Sequence, residues 1–188
     1  MEEQTENQNI ETPEQEIQER VTIKQVSMKW GLILGMVMII YGMVLLLADL
    51  VGNQALNYVN YLFIAVLMYF AHRAYMDQGN GFMSYGEGLK IGVLMTVVGS
   101  LISNIFSYIY VTFVDDSMIQ KIMDITEQKM LDKGLSDAQI DQAMSMTEKF
   151  MTPIVMFPIA FIFTVFFGFI VALVVSAITK KADPSLSV

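Results

Sequence analysis

The chain has 188 residues, of which 54% are hydrophobic and 16% charged, with a mean hydropathy of +0.51 and a net charge of −8. So few charges on so long a chain exclude an ordinary water-facing globule. The acidic balance excludes a nucleic-acid partner, since a phosphate backbone selects a basic footprint. With no cysteine, disulfides, thiolate metal centres and cysteine nucleophiles are excluded too.

Residues 1–27 read as a disordered acidic tail on the cytoplasmic side. Glu2, Glu3, Glu6, Glu11, Glu14, Glu16 and Glu19 dominate it, among Gln, Asn and Thr. Such a segment buries too little apolar area to offset its ordering entropy. It does not read as a secretory signal, because it opens acidic and its apolar run starts only at Trp30.

Residues 28–181 are expected to form an all-α membrane domain with four transmembrane helices. A hydrocarbon layer about 30 Å thick needs roughly 20 apolar residues in helix. Four segments qualify, at about 30–50, 56–71, 91–114 and 153–179, and the last two hold no Asp, Glu, Lys or Arg. The runs do not alternate, so strands are excluded, and lipid leaves only helices or closed barrels.

Orientation follows from the basic residues. Arg20, Lys24, Lys29, Arg73, Lys90, Lys180 and Lys181 fall on one side, and the loop 51–55 carries none. Lys121, Lys129, Lys133 and Lys149 all lie in the single long loop on the other side, where their topogenic weight is lower. The positive-inside rule therefore places both termini in the cytoplasm. Trp30, Tyr58 and Tyr85 fall near the interfaces, where aromatic side chains are favoured.

Along the first span, Gly31, Gly35 and Gly42 share a face, a pattern that lets helices approach closely. Asp49 closes that face at the span edge, where a hydrated interfacial acid is expected and an ion site is the alternative. The second span ends near His72, the single histidine, read as an interfacial residue beside Arg73. One histidine without cysteine builds no conventional zinc site.

The third helix is expected to start before the membrane, because Ser84-Tyr85-Gly86-Glu87 has the form of a capping box. Its small and polar residues Gly92, Thr96, Gly99, Ser100, Ser103, Ser107 and Tyr110 fall on one arc, with Asn104 at the edge. Two readings compete for Thr96, Ser100, Ser103, Asn104 and Ser107. Small hydroxyl residues commonly mark helix contacts, which is the preferred reading. The alternative is a water-lined path for a small transporter or channel.

Segment 115–152 reads as an extracytoplasmic helical hairpin available to a protein partner or to a second copy. It holds eight acids against four lysines. Met118, Ile119, Ile122, Ile125 and Met130 form one apolar stripe, and Ile140, Ala143, Met144, Thr147 and Met151 another. Gly134 is a natural residue just past a helix end, and Ser136-Asp137-Ala138-Gln139 is a second capping box. Thr152-Pro153 opens the fourth span as N-cap and first helical residue. Along that span Thr164, Gly168, Ala172 and Ser176 form a ridge matching the glycine faces, and Pro158 interrupts its backbone bonding. Spans one, three and four are expected to pack through these ridges, with span two peripheral. Residues 182–188 form a short tail.

Three stretches give this chain a resemblance: Met28-Lys29-Trp30-Gly31-Leu32-Ile33-Leu34-Gly35, Gly81-Phe82-Met83-Ser84-Tyr85-Gly86-Glu87-Gly88-Leu89-Lys90-Ile91-Gly92, and Asp115 to Pro153. It resembles a bacterial family of small membrane proteins known as domain of unknown function 4199. The resemblance implies an inner-membrane bacterial protein and brings no activity with it.

Chemistry is otherwise thin. Gly99-Ser100-Leu101-Ile102-Ser103 is not the G-x-S-x-G of a serine hydrolase, and no nucleotide fingerprint occurs. Sixteen methionines would suit Cu(I), but they are scattered over every segment as flexible apolar filler. No cofactor, metal site or catalytic residue is expected. The sequence points to a non-enzymatic structural or interaction component.

Overall fold

The computed structural model describes residues 21–183. The expected tail up to residue 20, and residues 184–188, lie outside the described residues. Six helices follow in order: α1 (Ile23–Leu47), α2 (Gln54–Asp77), α3 (Tyr85–Phe113), α4 (Ser117–Asp132), α5 (Asp137–Phe150) and α6 (Pro153–Thr179). Helices α1, α2, α3 and α6 are each long and apolar enough to cross a membrane.

Three of the four run beyond their expected ends, because caps rather than hydropathy set the boundaries. Helix α1 begins at Ile23, inside the expected tail, where Thr22 accepts from the N–H of Gln25 at 3.2 Å. The Gln25 side chain accepts in return from the N–H of Thr22 at 2.8 Å. Val26 and Ser27 are buried by this extension. Helix α2 continues past Ala71 to Asp77, so His72 stands within it rather than at its end. Helix α3 opens with the expected box: Ser84 accepts from the N–H of Glu87 at 3.2 Å, and Glu87 accepts from the N–H of Ser84 at 2.7 Å.

The other three long helices pack against α3. Helix α1 packs along one side of it and α6 along another, while α2 touches all three. As expected, spans one, three and four pack closely and α2 packs more lightly; α1 and α6 each lie along α3 and meet it rather than each other. Helix α2 still reaches the core, where Ile64, Met68, Ala71 and Met76 join Ile91, Met95, Ala172 and Val175. Outward, the bundle is apolar all round, with Leu47, Ile162 and Ile178 among its exposed side chains. Lipid is the solvent such a surface suits.

Helices α4 and α5 form the expected hairpin at one end of the bundle. Gly134 takes φ +74° just past α4, where a side chain would be strained. The N–H of Gly134 donates to Leu131 O at 2.8 Å and that of Leu135 to Met130 O at 3.2 Å, the paired bonds of a Schellman stop. Met123 and Ile140 are buried between the two helices. The hairpin is also tied to the α1–α2 loop, where Lys121 Nζ lies 2.6 Å from Asp49 Oδ1. Beside that pair, Gly52 lies under Ile125, whose Cδ1 would sit 2.6 Å from a Cβ added at the glycine.

Candidate functional site

The polar arc of α3 is where the sequence concentrated its unusual residues, and the structure turns it inward. Thr96 and Ser100 are wholly buried and Ser103 nearly so, while Asn104 and Ser107 are half-buried. On one side the arc meets α6 in an antiparallel register of fours. Gly88 faces Ser176, Gly92 faces Ala172, and Thr96 faces Gly168. A Cβ at Gly92 would stand 2.9 Å from that of Ala172, and one at Gly88 3.0 Å from Ser176 Oγ. At Gly168 an added Cβ would collide with Thr96. Rows four residues apart form the ridges by which helices interlock, and absent side chains let these two backbones close.

On its other side α3 meets α1 in a parallel run. A Cβ at Gly31 would stand 2.7 Å from Val98 Cβ, and one at Gly35 3.0 Å from Ile102 Cβ. In the reverse direction Leu34 of α1 fills the space over Gly99, 2.8 Å from where its Cβ would be. Two predicted ridge residues stand outside these contacts. Gly42 has nothing within 4 Å of an added Cβ, and it lines a recess of about 70 Å³ with Ser107, Tyr110 and Met118. Thr164 is only partly buried, and its hydroxyl donates to Ala160 O at 2.8 Å.

The hydroxyls of Thr96, Ser100 and Ser103 bond back to their own helix. Thr96 Oγ1 donates to Gly92 O at 2.8 Å, Ser100 Oγ to Val97 O at 3.2 Å, and Ser103 Oγ to Ser100 O at 3.1 Å. Asn104 Nδ2 donates to the same Ser100 O at 2.8 Å. Each hydroxyl thus has a backbone acceptor on α3, and Ser103 Oγ also lies 4.0 Å from Met38 Sδ of α1. Gly92, Thr96 and Gly99 of the arc lie directly in the contacts with α6 and α1.

The second centre went unrecognised in the sequence. His72, read as interfacial, has no exposed surface at all. Its Nε2 lies 2.9 Å from Gly88 O of α3, and its Nδ1 lies 2.7 Å from Thr179 Oγ1 of α6. One imidazole thus joins three helices. A carbonyl oxygen only accepts, so Nε2 carries a proton and donates to Gly88. Thr179 Oγ1 is also 2.8 Å from Val175 O. With a neutral ring the hydroxyl gives its proton to Nδ1. With a cationic ring Nδ1 donates, and the hydroxyl turns to Val175.

The Gly81–Gly92 stretch builds the surroundings of this node. Tyr75 of α2 donates to Glu87 Oε1 at 3.0 Å. Met83 and Lys181 exchange backbone bonds of 3.0 and 2.8 Å, which fastens the end of α6 to the start of α3. Nearby, Ser27 Oγ of α1 donates to Ile91 O at 3.3 Å. Hydropathy ended the second span at Ala71 and so misplaced His72. An imidazole inside a long apolar helix is the signal that could have found it.

Asp49 stays exposed, as an interfacial acid should, but it is paired rather than merely hydrated. It adopts φ +56°, rare outside glycine, in the turn that brings it to Lys121.

Fold and seams together define a helical membrane protein of four close-packed spans carrying a two-helix hairpin at one end. The chain belongs to the family described as Protein of unknown function (DUF4199), whose model matches residues 29–181. No curated protein and no solved structure gives a significant match.

Proposed function

We propose that this protein is a non-enzymatic structural or interaction component of the bacterial inner membrane. In this reading both termini are cytoplasmic and the α4–α5 hairpin projects on the far side. The observation that carries it is the burial of the α3 arc: Thr96, Ser100 and Ser103 are enclosed in the bundle and bonded to their own backbone. A conduction path needs polar groups that exchange partners with the permeant species. A seam closed by glycine against side chain instead gives a rigid platform.

What the platform presents is the hairpin. Between α4 and α5 runs a groove of about 400 Å³ floored by Ile119, Met123, Ile140 and Met144. Such a surface suits a protein partner or a second copy of the chain.

The natural absence of cysteine makes the test direct. Single cysteines at Ser100 and Ser103 are expected to resist a membrane-impermeant thiol reagent applied from either side, while one at Gly134 is labelled. Labelling at Ser100, together with solute flux in proteoliposomes, would instead establish the transporter reading. A photo-crosslinking residue at Met144 is expected to capture a discrete protein; its failure to capture any would remove the hairpin's role.

A further inference from the structure

At the bundle end opposite the hairpin, a groove of about 410 Å³ runs between the ends of α2 and α6. Three cations line it: Arg73 from α2, and Lys180 and Lys181 from the end of α6. All three are exposed, and no ion pair among the described residues involves them. Asp77 is the single acid on the groove wall, so positive charge remains in excess.

These cations are placed by long-range constraints. The His72–Thr179 hydrogen bond holds α2 to α6, and Arg73 and Lys180 are the residues that follow each partner in sequence. The Met83–Lys181 backbone pair then fixes the turn after α6, and Lys181 Nζ lies 5.3 Å from the centre of the Phe82 ring. Lys24, Lys29 and Lys90 are exposed on other helices and line no part of the groove. Positive charge at a cytoplasmic face serves topology wherever it lies. That Arg73, Lys180 and Lys181 all line one groove, held in place by these bonds, goes further.

The groove also has an apolar side. Tyr69 and Ile178 line it and are 45% and 74% exposed. A basic recess between helix ends, open toward lipid, matches an anionic headgroup whose chains continue down the bundle.

We infer that the α2–α6 groove, with Arg73, Lys180 and Lys181, is a binding site for a phosphate group. An anionic phospholipid and a soluble phosphoester share that chemistry, and the experiment separates them. Purified full-length protein in a neutral detergent is heated with phosphatidylglycerol, phosphatidylcholine or glycerol 3-phosphate, and its apparent Tm is recorded. Phosphatidylglycerol is expected to raise Tm by about 2–5 °C, as a ligand of the folded state does. Phosphatidylcholine is expected to do little. A rise with glycerol 3-phosphate alone would support the site and assign it to a soluble ligand.

Arg73→Gln with Lys180→Gln should abolish the shift, whereas Arg73→Lys with Lys180→Arg should keep it and show that the pair still folds. Lys24→Gln with Lys29→Gln removes two charges at the same bundle end and should leave the shift intact. Equal loss in the Lys24/Lys29 variant would mean diffuse surface attraction and overturn the inference, as would no shift with any phosphate probe.

Discussion

The imidazole Nδ1 of His72 lies 2.7 Å from the hydroxyl of Thr179, across 107 residues of sequence. The same ring reaches Gly88 O at 2.9 Å, so a single side chain closes α2, α3 and α6 at one level. The imidazole is fully buried, so losing its bond to Gly88 leaves a carbonyl whose desolvation is uncompensated, while Thr179 is half-buried.

Replacing His72 with Ala should therefore destabilise the bundle by about 1–3 kcal/mol, the cost of a buried polar group left unpaired. His72→Gln can remake at most part of the pair and should fall between. Apparent Tm in detergent measures both. An unchanged value for His72→Ala would mean that the three-helix clamp carries no stability.

The α3–α6 register makes a graded prediction about glycine. Gly92→Leu and Gly168→Leu force side chains into Met68, Ala172 and Thr96 and should cost about 1–3 kcal/mol or more through overpacking. Gly35→Leu should act the same way against Ile102 of α3. Gly42→Ala meets open space and should be neutral or slightly stabilising, since alanine favours helix. Thermal stability of the four variants tests the order; equal effects at Gly42 and Gly168 would contradict the register.

Docking of the hairpin should depend on Gly52 and on pH. Gly52→Leu would displace Ile125, and cross-linking between the α1–α2 loop and α4 should fall.

Two charges beside the hairpin set its pH response, with opposite signs. The Asp115 carboxyl is held below its ordinary range by hydrogen bonds from Ser117, so its contribution is present above that range and lost as pH falls through the lowered value. The Lys121 ammonium is held above its ordinary range by its hydrogen bond and charge pairing with Asp49. Its contribution is present below that range and lost as pH rises through the raised value. The hairpin should stay docked across neutral pH and loosen as pH rises through the raised Lys121 value, while acid weakens only the Asp115–Ser117 turn that opens α4. Spin labels at Ala48→Cys and Asp132→Cys would report this as a widening distance. Both groups lie at the surface, so high salt should weaken the Asp49–Lys121 link as well.

The hairpin's own stop signals are separable from its docking. Ser136→Ala removes a hydroxyl 3.1 Å from the Gln139 side chain and should cost α5 about 1 kcal/mol of helix stability. Far-ultraviolet circular dichroism during unfolding would detect it, and a loss confined to α3 would count against the assignment.

Some of this structure was legible in the residues alone, because its causes are local or depend only on the solvent. Uncharged runs at 91–114 and 153–179 need lipid whatever they touch, so span number followed from hydropathy. Ser84–Glu87, Gly134 and Ser136–Gln139 mark helix ends through bonds to neighbours a few residues away, and Thr152-Pro153 opens α6 through the fixed backbone of the proline, without a side-chain cap bond; each stands where it was expected. The small residues of α3 declared a contact surface. They could not say which helix lay against which side, since glycine gives permission to approach without naming a partner. Pairing Gly92 with Ala172 and Leu34 with Gly99, burying His72 under Thr179 and joining Asp49 to Lys121 were decided only by the tertiary structure. Those links join residues far apart in the chain, and their energy exists only once the helices have met.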